Sequence, residues 1–195
     1  MLGSPPSLRP RPAQGLVRRR SLIGFRTACE QMWGAAGIDA ICRELPSDIR
    51  ERTAGLLPLP EWIPVEDLIA WHQVVWSDLA KRDEATMMRQ ARLTIDQGFG
   101  RVKRFVISML TPELLAGRVV ALWRDEYSTG QLETLSVEPG HIQLALTQHA
   151  YVDIPLMRNV ISEAYRYVLS MTRVQNVSVT HAVRDAALLV NLRWE

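Results

Sequence analysis

The amino-acid sequence predicts an α+β fold, in which a helical N-terminal half packs on a small antiparallel sheet. From about residue 24 to residue 122, apolar residues recur every three or four positions, which is the period of amphipathic helices. From about residue 131, apolar and polar residues alternate instead, as in strands with one buried face. One helical stretch interrupts this alternation and gives the C-terminal order β-β-α-β-β. Helices collected before and across a small antiparallel sheet are typical of α+β domains.

The first residues have a different composition from the remainder. Residues 1–16 are rich in proline, and we expect them to form a disordered tail ahead of a single domain over residues 17–195. Of the 23 basic residues, 21 are arginine, and five of these fall within residues 1–20, where no acidic residue occurs. The five are Arg9, Arg11, Arg18, Arg19 and Arg20. A basic arm that contacts nucleic acid or an anionic membrane is the alternative interpretation of this stretch.

The charge and the apolar runs exclude several classes of protein. The net charge is +2, and once residues 1–20 are set aside the rest is slightly acidic, so nucleic acid is not an expected partner. No apolar run approaches the ~18 residues of a membrane span, and no signal peptide is evident. We therefore predict a cytoplasmic protein whose two cysteines, Cys29 and Cys42, are buried thiols and not a disulfide.

The N-terminal half contains helices of unequal clarity. A helix is predicted from Gly24 onward and is interrupted at Gly34 and Gly37, and residues 56–64 are expected to be extended because three prolines fall there. Val65–Ala80 is the clearest amphipathic helix, with an apolar face that Trp71 and Val75 widen. A helix with so broad an apolar face must be buried inside its own domain or against a second copy or a protein partner.

The next two helices have recognisable starts. Asp83 is the expected N-cap of the first, and Gly98 and Gly100 predict a break or kink near Phe99. The second starts at Thr111-Pro112-Glu113, which supplies a capping hydroxyl, a proline at the first helical position and an acid in the first turn.

The C-terminal part contains the strands. The first two, at about 131–137 and 142–148, flank Glu138-Pro139-Gly140, a sequence typical of hairpin turns. A helix is expected to begin at Asp153, and the last two strands are predicted at 174–181 and 187–194. We predict that all four strands pair antiparallel in one sheet.

Several short motifs together resemble a known family. They are Trp62-Ile63-Pro64 before an amphipathic helix, the Thr111-Pro112-Glu113-Leu114 helix start, Leu122-Trp123-Arg124, and a final strand that ends in Arg193-Trp194. The arrangement resembles an uncharacterised family of paralogous proteins from myxobacteria. That family is similar in fold to heme–nitric-oxide-binding domains, 4-vinyl-reductase-like domains and TRAPP subunits. The resemblance covers roughly residues 17–195, and it implies a small hydrophobic ligand, or a partner, where the helical half meets the sheet.

The resemblance transfers few functional residues. Heme–nitric-oxide-binding domains hold the heme propionates with a Tyr-x-Ser-x-Arg motif, whereas the nearest string here is Tyr127-Ser128-Thr129-Gly130, which has no arginine. The 4-vinyl-reductase-like domains often carry cysteine clusters near the C-terminus, and this chain has no cysteine after Cys42. From these departures we expect no heme, no other cofactor and no metal.

The candidate site residues are two histidines and two tryptophans. His72 lies on the apolar face of the Val65–Ala80 helix, as Trp71 and Trp76 do, and could bind a buried cofactor or simply pack in the core. His181 has the parity of the core face of its strand, whereas His141 and His149 have the opposite parity and are expected to face water. The sequence holds no HxxxH, CxxC, HExxH or Gly-x-Ser-x-Gly motif, so no catalytic residue is predicted.

The leading functional hypothesis is a non-enzymatic, bacterial, cytosolic binding domain with a signalling or scaffolding role. Its ligand would be a small hydrophobic molecule or a protein, and Trp71, His72, Trp76 and His181 are the candidate pocket or interface residues. Two alternatives remain open at this point. The first is an enzyme that acts on a hydrophobic small molecule in the same cavity, and the second is a heme or gas sensor.

Overall fold

A computed structural model describes residues 15–54 and 59–195 of the 195-residue chain. The helices are α1 (Arg19–Glu44), α2 (Ser47–Thr53), α3 (Val65–Val74), α4 (Glu84–Ser108), α5 (Pro112–Glu126) and α6 (Pro155–Ser170). The strands are β1 (Leu16–Arg18), β2 (Trp62–Pro64), β3 (Gln131–Glu138), β4 (His141–Thr147), β5 (Ser178–Arg184) and β6 (Ala187–Arg193). The predicted α+β class is confirmed. The first part of the predicted tail, residues 1–14, lies outside the described residues.

The N-terminus of the described chain forms a two-stranded sheet that the sequence did not predict. β1 pairs antiparallel with β2, and Val17 lies opposite Ile63 with both side chains buried. Arg18 forms an ion pair with Glu61 and donates a hydrogen bond to the backbone oxygen of Asp125. The prediction of extended chain before α3 is confirmed for Trp62–Pro64. Of the five arginines within residues 1–20, Arg18 lies in β1 and Arg19 and Arg20 lie at the start of α1.

The helices follow most of the predicted breaks. Gly34 has a left-handed φ of 66° and kinks α1, as the sequence predicts. The predicted break at Gly37 is wrong, because Gly37 is helical and buried within α1. α3 ends at Val74 and continues as one π-helical turn, Val75–Leu79, so the predicted Val65–Ala80 helix changes its hydrogen-bond pattern in the last third. Asp83 accepts a hydrogen bond from the amide of Thr86 at 2.8 Å, and the hydroxyl of Thr111 accepts one from the amide of Leu114. Both predicted N-caps are confirmed.

The C-terminal sheet has four antiparallel strands in the order β3-β4-β6-β5. The predicted antiparallel sheet and its β-β-α-β-β chain order are confirmed. The third strand begins at Ser178 and not near residue 174, because the chain first turns through left-handed φ angles at Arg173 and Asn176. It also continues to Arg184, where Asp185 and Ala186, both with positive φ, make the tight turn to β6. Neither residue is a glycine, so the usual sequence signal of a two-residue hairpin is missing.

The core joins the two halves of the molecule. Alternate residues of β4 and β6 are buried in the core, and they include Leu144, Leu146, Leu188 and Val190. Cys29 is buried and Cys42 is half-buried, and both are free thiols. Burial raises the pKa of the Cys29 thiol to about 12, so this cysteine is an unreactive part of the core. Among the described residues, no helix is long and apolar enough to cross a bilayer.

Candidate functional site

A cavity of about 250 Å³ lies where the helices meet the four-stranded sheet, and we call it the central cavity. Residues from five helices and three strands form its walls. The wall residues on the helices include Arg20, Ser21, Leu68, His72, Ala91, Thr94, Ile95, Gly98, Phe99, Leu115, Ala116, Val119, Leu122, Trp123, Glu126, Met157, Val160, Ile161, Ala164, Tyr165, Val168 and Leu169. The lining also includes residues outside the helices, namely Tyr127, Leu132, Ile142, Leu144, Tyr151 and Leu192. Most of this surface is hydrocarbon or aromatic ring, so the cavity favours an apolar occupant.

The packing of the helices explains why a gap remains. α4 packs on α1 and α6, whereas α5 packs on β3 and β1. Lining residues on α4 and α5, such as Ile95, Gly98, Val119 and Leu122, are half-buried or exposed. We infer that the cavity opens to solvent between α4 and α5. Tyr151, Met157 and Leu144, which also line the cavity, are buried.

A charged cluster lines one edge of the central cavity. The guanidinium of Arg20 donates hydrogen bonds to Glu126 at 2.7 Å and to Asp125 at 2.6 Å. The hydroxyl of Ser21 donates to the other carboxylate oxygen of Glu126. Two carboxylates therefore surround one arginine, so this edge does not present a free positive charge to a ligand.

His72 is the predicted site residue that lines the central cavity. Its Nδ1 lies 2.8 Å from the backbone oxygen of Leu68, one helical turn earlier. A carbonyl oxygen only accepts, so Nδ1 carries the hydrogen and Nε2 of the neutral ring keeps its lone pair. Burial lowers the pKa of His72 to about 4, and this outweighs the hydrogen bond to Leu68, which acts in the opposite direction. The ring is therefore neutral at physiological pH.

The other three predicted site residues are not among the residues that line the cavity. Trp71 is fully buried and donates a hydrogen bond from its indole nitrogen to the hydroxyl of Thr53 at 2.9 Å. Trp76 is partly buried against the core. His181 lies on the edge strand β5 and is exposed, so the prediction that it points to the core face is wrong. Its Nδ1 lies 3.2 Å from the hydroxyl of Ser162. Ser162 is only 2% exposed, which makes it a poor candidate for a nucleophile.

Three tyrosines form the main polar feature of the central cavity, and we call them the tyrosine cluster. Tyr127 and Tyr151 have their hydroxyl oxygens 3.4 Å apart, so one donates to the other. The hydroxyl of Tyr165 is buried and has no hydrogen-bond partner among the described residues. Burial raises the pKa of all three phenols, and the electrostatic effect of Tyr151 contributes to the raised pKa of both Tyr127 and Tyr165. The cluster is therefore a set of neutral hydroxyl groups.

Sequence reasoning did not find this cluster, and it also misplaced His149. The tyrosines come from three elements that are distant in the chain, and no local spacing links them. The prediction that His149 faces water is wrong. β4 ends at Thr147 and Gln148 has a positive φ, so the alternation of buried and exposed residues along the strand does not continue to His149. His149 is 5% exposed and packs against the rings of Trp123, Tyr127 and Tyr151.

His149 separates the central cavity from a second hollow. This hollow, of about 670 Å³, is more open and more polar, and its walls include Thr129, His149, Asp153 and Asp185. Burial lowers the pKa of His149 to about 4. No group of three or more histidines, cysteines or carboxylates that could hold a metal ion occurs within residues 15–54 and 59–195.

Comparisons with known proteins identify the fold and no closer relationship. No family model matches the chain, and no curated protein matches it in sequence. One similar structure is that of an oxygen-binding H-NOX domain related to soluble guanylate cyclases, in its oxygen complex. It has a TM-score of 0.61 and 10% identity over 89% of this chain and 93% of that chain. Another is the Fe(II) unliganded H-NOX protein from K. algicida, with a TM-score of 0.64 and 8% identity over 91% and 96% of the two chains.

A third similar structure, a double variant of Tt H-NOX, has a TM-score of 0.63 and 9% identity over 91% of this chain and 95% of that chain. The resemblance to the heme–nitric-oxide-binding fold is therefore confirmed at the level of the fold. The predicted membership of a myxobacterial family is not supported by any family model.

Proposed function

We propose that this chain is a binding domain that encloses a small, mostly apolar molecule in the central cavity. The observation that carries the proposal is the cavity itself, whose volume of about 250 Å³ approaches the range of ~300–1,000 Å³ that ligand pockets occupy. The hydrocarbon walls of such a space hold water poorly, whereas an apolar molecule fills it favourably. The signalling or scaffolding role that the sequence suggests remains part of the proposal, as does its place in the cytoplasm.

A heme or gas sensor is the second candidate function. The H-NOX structures favour it, since one of them is an oxygen complex and another is an unliganded Fe(II) protein. His72 meets one requirement of a heme, because a neutral imidazole whose Nδ1–H is held by a backbone carbonyl has its Nε2 available for iron.

The second requirement of a heme is not met by the described residues. Its two propionates need cationic partners, and the cation that lines the central cavity within the described part of the chain is Arg20. Asp125 and Glu126 already bind that guanidinium. The similar structures therefore favour a heme or gas sensor, whereas the described residues do not fit a heme anchored by its carboxylates.

The first experiment titrates the purified protein with ethylnaphthalene, an apolar probe, by isothermal titration calorimetry. We expect one molecule to bind per chain, and we expect Ala116→Leu, which fills the cavity from α5, to weaken binding at least about tenfold. Ala121→Leu changes an exposed position on the same helix outside the lining, and we expect it to bind as the parent does. Failure of the parent to bind would contradict the proposal.

The second experiment separates the two candidates. Protein mixed with hemin and then desalted is examined by visible absorption spectroscopy. The apolar-ligand proposal predicts that no stoichiometric heme remains. A stoichiometric complex whose spectrum changes in His72→Ala would instead establish the heme sensor, with His72 as the iron ligand.

A further inference from the structure

The tyrosine cluster has more hydrogen-bond donors than it uses. Three phenols carry three hydrogens, and the Tyr127–Tyr151 contact uses one of them. Tyr165 has no partner among the described residues, and one hydrogen of the Tyr127–Tyr151 pair is also not used between them. A buried donor without a partner is costly, so the central cavity, which all three tyrosines line, favours an occupant that accepts hydrogen bonds.

The charges near the cluster disfavour an anionic acceptor. Glu126 directly precedes Tyr127, and its negative charge contributes to the raised pKa of Tyr127 and Tyr151. Arg20 cannot offset an added negative charge, because Asp125 and Glu126 already bind it. A carboxylate held at the phenols would therefore be desolvated near another carboxylate, whereas a neutral carbonyl oxygen would not.

We propose that the central cavity selects neutral apolar molecules that carry one carbonyl oxygen, such as ketones, aldehydes or esters, and that Tyr165 binds this oxygen together with the Tyr127–Tyr151 pair. The inference rests on the proposed function, since it names the ligand class of the same cavity. A carbonyl oxygen has two lone pairs, which matches the two donors that the cluster has in excess. The remaining lining is hydrocarbon and accepts the apolar body of the ligand.

The test compares two ligands of nearly the same shape in three proteins. The ligands are acetonaphthone, which carries a ketone, and ethylnaphthalene, which does not; the proteins are the parent, Tyr165→Phe and Tyr167→Phe. Tyr167 is the matched control, because it lies on the same helix and its hydroxyl donates to Asp96, away from the central cavity. Calorimetry gives Kd for each pair, and thermal melting checks that each variant is folded.

We expect Tyr165→Phe to weaken acetonaphthone about five- to tenfold and to leave ethylnaphthalene unchanged, because only the ketone loses a hydrogen bond. Tyr167→Phe is expected to leave both Kd values unchanged. Naphthoate, the anionic counterpart, is expected to bind the parent more weakly than the ketone. Tyr151→Phe provides a second variant, with an effect on the ketone in the same direction.

The outcomes distinguish the two proposals. If neither neutral ligand binds the parent, the proposed function fails and this inference fails with it. If ethylnaphthalene binds but both tyrosine variants leave the ketone unaffected, or weaken both ligands equally, the cavity binds ligands and the carbonyl site is wrong. Tighter binding of naphthoate than of acetonaphthone would overturn the selection for neutral molecules.

Discussion

His72 and His149 illustrate how burial determines the chemical state of a single side chain. Both lie beside the central cavity or its aromatic wall, and burial lowers the pKa of each from 6.5 to about 4. In the folded protein they remain neutral at a pH where an exposed histidine would be protonated. The sequence pattern placed His72 on an apolar helix face, but only the packing around it fixes its protonation state.

The lowered pKa values predict a loss of stability in mild acid. Below pH 6.5 the unfolded chain binds protons at these histidines, whereas the folded chain does not until about pH 4. Stability is therefore highest above pH 6.5 and falls as the pH drops, by up to about 3 kcal/mol for each histidine at pH 4. We expect His72→Gln and His149→Gln each to reduce this fall, and the double variant to reduce it most. Urea unfolding at several pH values measures the slope, and equal slopes in parent and variants would refute the prediction.

At the scale of the element, α4 combines a long helix with a local break. Gly100 has φ 62° and ψ 175°, a backbone region that is nearly restricted to glycine. Gly98 lines the central cavity two residues earlier, and nothing lies within 4 Å of the position its Cβ would take. The sequence predicted the interruption, and the structure shows which of the two glycines produces it.

The two glycines of α4 should respond oppositely to the same substitution. Gly100→Ala is expected to destabilise the protein by about 1–3 kcal/mol, because alanine cannot adopt this backbone conformation without strain. Gly98→Ala is expected to stabilise it by about 0.5–1 kcal/mol, because alanine restricts the unfolded chain and meets no neighbour. Chemical denaturation of the two variants beside the parent tests both signs. If Gly98→Ala also destabilised the protein, the helical conformation at this position would be in doubt.

The apolar residues of α3 and those of the α4–α5 region have different surroundings. Trp71 of α3 and Val75 of the π-helical turn that follows it are buried inside the domain, so the broad apolar face predicted for Val65–Ala80 is used by the core. Large exposed apolar side chains occur instead at Phe105, Met109 and Leu114. Binding to a second copy or to a protein partner remains a prediction, and α3 has little exposed apolar surface for either.

At the scale of the whole molecule, β1 joins the start of the described chain to its centre. Val17 is fully buried opposite Ile63 and also forms a bridge with Tyr127, a member of the tyrosine cluster. The amide of Leu16 donates to the hydroxyl of Ser128 at 2.8 Å. The first residues of the described chain therefore contact Tyr127 and Ser128, and Tyr127 lines the central cavity.

Truncation can test where the domain begins. Deletion of residues 1–14 is expected to leave the melting temperature unchanged, because proline-rich polar sequence buries too little surface to offset its ordering. Deletion of residues 1–18 removes β1 and the buried Val17, and we expect the melting temperature to fall by roughly 6–12 °C. Thermal melting of both truncations gives the comparison. A large loss in the shorter truncation would mean that the tail contributes to the fold.

The sequence by itself determined what depends on neighbouring residues. The capping positions Asp83 and Thr111, the break in α4, and the β3–β4 hairpin all follow from chemistry within a few positions of the chain, and the alternation of β4 and β6 identified the buried face of the sheet. These rules sufficed for the α+β class and for the β-β-α-β-β order of elements along the C-terminal part of the chain.

Only the tertiary structure decided the pairing of β1 with β2, the central cavity and the tyrosine cluster. Tyr127, Tyr151 and Tyr165 belong to separate elements, and Val17 meets Ile63 across 46 positions of chain. Such contacts depend on how helices and sheet pack as a whole, and no local period encodes the cavity that remains between them. The same packing removes His72 and the three phenols from water, which sets their charge and makes them a candidate site.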